Sequence, residues 1–456
     1  MQINALFEPK SIAVIGASDR PTPGQRIINS LDRLGFAGRI YPVNPNYAAV
    51  LNRPCYASVA DLPEAPDVAV FCLGHERVVD AFMVGAKRGM KAAVIYDGGF
   101  AEHSEPGRER QARITEICRD YDIALCGPNC MGILNPHHRS TTYLQELRDP
   151  TGLAGNVGIV SHSGGLCVSL LADTRGFGFS HIVSAGNEAA VTVAEFLEYL
   201  VADPDTKIIG GFIETIRHKD RFAAALDRAH ALGKPIVLIR AGKSDRARRA
   251  IVTHTGGPAE ETAEIAELFR AHHVIEVPDL VELTETLAAF QAAKPVAGRR
   301  IAIITSSGGL SELILDIAAA RDLVLPPLSP AQKTQIEDGF ITGDGNPCDA
   351  WGSGAFAANL PKALVLFDAS EDHDAIVLLR DNLDDQLFDQ PETARSYIEM
   401  FARAAEHSRK PHYLLTTRPG IMERGLVAYL RGHGVGIVGG LGEGLSAIDR
   451  LAVKAN

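Results

Sequence analysis

Residues 156–165 read NVGIVSHSGG: a short run of small and β-branched residues, then hydroxyls and glycines. Such a run is the pattern of a buried strand, and the small-residue loop after it opens a helix at LCVSLLAD, residues 166–173. The same order recurs at SIAVIGAS (11–18) and at RIAIITSS (300–307). Outward from the first of these, strand patterns follow at RIYPVN (39–44), DVAVFCL (67–73), KAAVIYD (91–97) and IALCG (123–127). Helical patterns such as IINSLDRLG (27–35) and RVVDAFMVGAKRG (77–89) separate them. The middle module continues with HIVSAG (181–186), KIIGGFIE (207–214), KPIVLIRAG (234–242) and VIEV (274–277). The last continues with AIVLLRD (375–381), HYLLTTR (412–418) and GVGIVGG (434–440). Strands alternating with helices predict parallel sheets covered by helices, hence three α/β domains. Residues 135–155, polar and broken by Pro136, Pro150 and Gly152, read as a linker, and a second break falls at 293–299.

The chain has 456 residues, 46% hydrophobic and 22% charged, too many for one core. No apolar run reaches the roughly 18 residues of a membrane helix. The start, MQINALFEPKSIAVIGAS, lacks a basic region followed by an apolar one, so no secretory signal and a cytoplasmic protein are expected. A net charge of −11 argues against a nucleic-acid surface. Seven scattered cysteines form no disulfide framework or zinc pattern, and no metal site is expected. Cys126 and Cys130, flanking Gly127-Pro128-Asn129, read as buried small hydrophobes rather than a redox or metal pair.

Three loops suit anions, because helix N-termini beyond parallel strands offer unpaired N–H groups. Gly16-Ala17-Ser18-Asp19 is not GxGxxG, and the second strand ends in Tyr41-Pro42-Val43-Asn44-Pro45 where an NAD site would place an acid. That disfavours NAD and leaves another phosphate-bearing ligand, or a plain tight turn. Ser161-His162-Ser163-Gly164-Gly165 offers an oxyanion cradle and lacks the flanking glycine of a serine-hydrolase elbow. Thr253-His254-Thr255-Gly256-Gly257-Pro258 follows a basic stretch with Lys243, Arg246, Arg248 and Arg249, expected to be mobile. Pro258 suits the first turn of the next helix. A histidine in such a loop carries a phosphoryl group or is simply structural, and the basic run is otherwise a solvated face.

Taken in order, these residues resemble the α-subunit of the ADP-forming acetyl-CoA synthetase family, related to succinyl-CoA synthetase. VIGAS (14–18) and YPVNP (41–45) resemble its CoA-binding domain, and CGPNCMGILNP (126–136) the loop closing that domain. GIVSHSGGL (158–166) resembles a Ser-Gln-Ser-Gly-Ala segment, with His162 in place of Gln. GGFIETI (210–216) resembles the stretch bearing the acidic partner of phosphohistidine, and THTGG (253–257) the loop whose histidine is phosphorylated. TSSGGL (305–310) and GNPCDAWG (345–352) resemble the family's ligase flavodoxin-like domain.

The resemblance implies a Rossmann-like CoA-binding domain over 1–135, then two flavodoxin-like domains over 150–292 and 298–456. It implies His254 as phosphoryl carrier, Glu214 as its acidic partner, and Ser161, Ser163, Gly164 and Gly165 as ligands of phosphate or acyl phosphate. Gly16, Ala17, Ser18, Val43, Asn44 and Pro45 would line the CoA groove, with Asn129 at the thioester end. The implied reaction joins a small carboxylic acid and CoA at the expense of ATP, giving ADP and phosphate. The family's ATP-grasp domains have no counterpart among these residues, which implies a separate ATP-grasp β-subunit holding ATP or ADP and magnesium. Two departures bear on the acid: Tyr96-Asp97-Gly98-Gly99-Phe100 replaces a usual Ser-Ala-Gly-Phe, and Gly257-Pro258 a usual Ala-Leu. The string around Trp351 resembles the branch acting on aromatic or larger acids. The rival expectations are a CoA-dependent acyl-, formyl- or carbamoyl-transfer protein without ATP chemistry, and a CoA-sensing regulatory subunit.

Overall fold

Each strand-then-glycine segment becomes the first strand of a parallel sheet: Ser11–Ile15, Ala154–Ser161 and Ile301–Thr305. The computed structural model describes residues 1–173, 178–255, 262–292, 294–335, 343–351, 354–381, 391–419 and 422–452, without the side chains of 252–255, 262 and 391–394. The first sheet runs Arg39–Val43, Ser11–Ile15, Val68–Phe71, Ala92–Ile95, Ala124–Cys126. The second runs Phe179–Ser184, Ala154–Ser161, Ile208–Ile213, Ile236–Arg240, Ile275–Val277. The third runs Cys348–Asp349, Ile301–Thr305, Ala375–Leu379, His412–Thr416, Gly436–Gly439. All these pairs are parallel. In every sheet the second strand lies on one side of the first and the third, fourth and fifth on the other. Connections from the first and third strands therefore part in opposite directions, leaving a crevice at the carboxyl ends.

The chain divides into two compact units, one running to Val277 with the first two sheets, the other from Pro278 with the third. In the first sheet Ile12, Val14, Val68, Val70 and Val94 face one core, and Ala13, Ile15, Phe71 and Ile95 face another. The first of these cores continues into the second sheet through Ile133, Val160 and Val183. At about 1.5–3 kcal/mol for each such side chain taken out of water, a few shared residues hold the sheets as one body.

The expected linker at 135–155 is corrected here. Gly132–Asn135 pairs antiparallel with Phe179–Ser184, and Ser140–Thr141 pairs antiparallel with Gly132–Asn135, so the segment begins as the edge of the second sheet. Its polar residues are buried because they are bonded: Asn135 Nδ2 and Ser140 Oγ both donate to Phe7 O, at 3.1 and 3.3 Å. Among the described residues no helix is long and apolar enough to cross a membrane.

Candidate functional site

At the crevice of the first sheet lies a cleft of about 520 Å³, within the range of small-molecule sites. Gly16, Val43, Asn44 and Pro45 line it, joined by Ser58 and Arg77. Gly16 has φ +89°, and a Cβ there would sit 2.5 Å from Cys72 O, so only glycine lets the loop turn this close to the third strand. Asn44 Nδ2 donates to Ala17 O at 2.8 Å, tying the two loops together. Ala17 and Ser18 sit behind this wall: both are buried, and Ser18 Oγ shares a hydrogen bond with Thr22 Oγ1 at 3.1 Å. Arg77 and Ser58 supply a cation and a hydroxyl suited to phosphate, while Glu76 and Asp80 share the lining.

At the crevice of the second sheet, His162 follows the first strand and Glu214 the third. Glu214 N donates to His162 Nδ1 at 3.2 Å, which places the imidazole proton on Nε2, 3.5 Å from Glu188 Oε2. Burial opposes charge on this ring, but the Glu188 carboxylate, with Glu214 behind it, lifts its proton affinity above the ordinary value. Ser161 is fully buried, and its hydroxyl donates to Ser163 O at 2.9 Å while accepting from Ser163 N at 3.0 Å. Its proton is thereby spent on shaping the turn. Ser163 Oγ caps the helix Gly164–Leu171 by accepting from Leu166 N at 3.3 Å. The N–H groups of Gly164 and Gly165 fall in the first turn, where helical partners are lacking.

The basic stretch expected to be mobile is a helix, Asp245–Thr255, and His254 lies at its carboxyl end rather than in a loop ahead of the next helix. Ser244 starts it, its Oγ accepting from Ala247 N at 3.2 Å, and Asp245 pairs with Arg248 one turn on. Arginine and alanine are good helix formers, so a start signal sufficed. The His254 side chain lies outside the described residues, as do Gly256, Gly257 and Pro258. Topology still relates the helix to Glu214: Ile213 pairs with Arg240, and Ala241 N donates to Ile213 O at 2.9 Å, so both segments leave adjacent strand tips.

Residues not anticipated from the motifs join Asn129 in connecting the two crevices. Asn129 N donates to Asp97 O at 3.1 Å, and its Nδ2 to Asn187 Oδ1 at 3.3 Å. Asn187 Nδ2 donates to Glu102 Oε2 at 2.5 Å. Arg217 donates to Asn187 O at 3.2 Å and, through Nε, to Glu188 Oε2 at 3.0 Å. Burial would raise the Glu188 carboxyl, but His162, the Val193 N–H and Arg217 outweigh it and hold it below the usual carboxylate range. The available signal was the polar pair Asn187-Glu188 after Gly186, directly beyond a buried strand. Among the described residues no group of three or more His, Cys, Asp or Glu side chains could hold a metal ion.

The family described as a CoA binding domain matches residues 10–136, and that described as a succinyl-CoA ligase like flavodoxin domain matches 154–290. A trans-feruloyl-CoA synthase from an unknown prokaryotic organism is 38% identical over 346 residues, covering 74% of this chain and 49% of that protein. The α-subunit of the ADP-forming acetate–CoA ligase II of Pyrococcus furiosus is 31% identical over 330 residues, covering 72% of this chain and 70% of the subunit. The solved acetyl-coenzyme A synthetase 1 of Ca. Korarchaeum cryptofilum superposes with a TM-score of 0.84 at 25% identity, covering 100% of this chain and 97% of that one. The chain spans about half the length of the longer curated relatives it matches. With the CoA-binding and ligase-like folds both present and an α-subunit matched over most of its length, the chain belongs to the ADP-forming acyl-CoA synthetase family.

Proposed function

We propose that this chain is the CoA-binding and phosphohistidine-carrying part of an ADP-forming acyl-CoA synthetase, working in the cytoplasm with a separate ATP-grasp β-subunit. The observation that carries the reading is that the two motif loops holding Gly16 and Pro45 line one cleft, inside the same compact unit as the Glu214 crevice. In functional terms we divide the chain into a CoA-binding part (1–135), a phosphohistidine part (150–292) and a ligase flavodoxin-like part (298–456).

From the thioester side, phosphate held by Ser163, Gly164 and Gly165 attacks the acyl carbon and CoA leaves, giving an acyl phosphate. Neutral imidazole is a good nucleophile near pH 7, so His254 takes the phosphoryl group from the acyl phosphate. Glu214 accepts from the other ring nitrogen, fixing the tautomer and stabilising charge on the ring. The phosphoryl group then passes to ADP, held with magnesium by the partner. Beyond positioning and charge stabilisation, little covalent help is needed. Ser161 shapes the turn, and Asn129 stands at the thioester end of the CoA groove. A phosphate-and-ADP complex of the Korarchaeum enzyme supports the use of these two ligands. The 38% identity to a trans-feruloyl-CoA synthase favours an aromatic acid over acetate.

Incubation with γ-labelled ATP and the partner should label the wild-type chain with an acid-labile, base-stable phosphate. His254→Ala should abolish the label, and Glu214→Gln should slow its formation by about 100-fold or more. Wild-type labelling of the His254 variant removes the assignment.

A further inference from the structure

We propose that His75 and Asp97 form a proton-transfer pair that activates the thiol of CoA, a role resting on the CoA-dependent reading above and extending it. His75 opens the helix His75–Arg88, two residues after Leu73 and one before Glu76, both of which line the cleft. Its Nδ1 lies 3.0 Å from Asp97 Oδ2, and its backbone N donates to the same oxygen at 2.6 Å. With the Nδ1 proton given to the carboxylate, the lone pair is left on Nε2, which has no protein partner among the described residues. The ring packs on Gly99, where φ is +85° and a Cβ would come within 2.7 Å of Nδ1, so the loop is shaped to admit an imidazole. The two side chains are 35% and 39% exposed, within reach of a ligand.

Position supports the role. The cleft spans the tips of Arg39–Val43, Ser11–Ile15 and Val68–Phe71, and Asn129 follows the last strand of the sheet. His75 and Asp97 follow the strands Val68–Phe71 and Ala92–Ile95, between the two. From Ser11–Ile15 to Ala124–Cys126 is three strand spacings of about 4.8 Å each. A molecule anchored by phosphates near Gly16 and reaching toward Asn129 crosses the pair. Three other ionisable groups near this row, Glu102, Glu188 and His162, are committed elsewhere. Glu102 accepts from Gly99 N, Phe100 N and Asn187. Glu188 is held by Arg217 and Val193 N, and the His162 side chain is 2% exposed.

Thiolate is the reactive form, and an ordinary thiol is mostly protonated near pH 7. In the synthetic direction Nε2 of His75 takes the S–H proton as sulfur attacks the carbonyl carbon of the acyl phosphate. The C–S bond forms, the C–O bond to phosphorus breaks, and inorganic phosphate leaves with the bonding pair. In reverse His75 returns the proton to the departing sulfur. Nothing is oxidised or reduced.

Two measurements test the pair. In a histidine-¹⁵N-labelled sample, CoA should shift the His75 Nε2 resonance, assigned with His75→Gln, and desulfo-CoA should not. Equal response to both, with CoA bound, overturns the pair and leaves the CoA reading standing; failure to bind either ligand overturns both. In the reconstituted synthetase with acetate and ferulate as acids, His75→Gln should lower kcat with CoA by about 100-fold or more while CoA affinity holds. With seleno-CoA, whose selenol is already ionised at neutral pH, wild type and variant should approach parity. An undiminished gap assigns His75 a structural role and overturns the proposal.

Discussion

At Glu188 a carboxylate is held almost wholly out of water, with its proton affinity depressed by His162, the Val193 N–H and Arg217. A depressed carboxyl contributes stability that is present above its unfolded value and is lost as pH falls through the folded one. Removing one partner of a buried charge cluster leaves the others uncompensated. Glu188→Gln should therefore lower the urea midpoint of the first unit at pH 7, by an equivalent of about 3 kcal/mol. That difference should shrink as the pH drops below the ordinary carboxylate value of about 4.3, where the unfolded chain begins to take up the proton that the folded Glu188 resists. Urea titrations at pH 7 and pH 3.5 check it; a gap unchanged with pH would mean the loss is steric rather than ionic.

Two loops at the ends of different sheets dock backbone to backbone. Gly127 N donates to Ala185 O at 3.1 Å, Asn187 N to Pro128 O at 2.8 Å, and Ala189 N to Gly127 O at 3.1 Å. Gly186 makes this possible: its φ is +64°, and a Cβ there would overlap the Pro128 carbonyl oxygen. Gly186→Ala adds backbone strain of about 1–3 kcal/mol and forces the loops apart. It should lower the melting temperature and, by moving Asn187 away from Asn129, weaken CoA binding; a variant with wild-type melting and binding refutes this account of the docking. The helix Asp245–Thr255 shows the same limit of local reading. Its run of like charge reads locally as a mobile stretch, yet the Ser244 start signal and the helix-forming preference of alanine and arginine carry it into a helix.

Across the whole molecule, the first two sheets share one core, whereas the unit from Pro278 has its own around Ile304, Phe367, Leu378 and Leu414. A unit that buries its own apolar faces folds by itself. Residues 1–277, expressed alone, should give a cooperative melt and bind CoA within about threefold of the full chain, by calorimetry. Aggregation or loss of binding would show that the cleft depends on residues beyond Val277. Separating residues 1–135 from 150–277 should fail instead, because Val160 and Val183 pack in the same core as Val14 and Val70.

Much was written along the chain. Buried β-branched runs ending in glycine and hydroxyl loops announce parallel strands followed by helices, because side-chain period and turn chemistry are local properties. The strings around Gly16 and Ser163 likewise mark loops suited to anions. Tertiary structure decided which of those loops meet. Strand order brings Gly16 beside Val43 and His162 beside Glu214, and no local pattern encodes strand order. It also assembled Glu188, Arg217 and His162, whose partners lie 26 or more positions apart, and His75 with Asp97, 22 apart. Such groups converge only once the strands that carry them have been ordered into sheets, and for the buried Glu188 cluster the low-dielectric surroundings that strengthen its pairing belong to the folded chain alone.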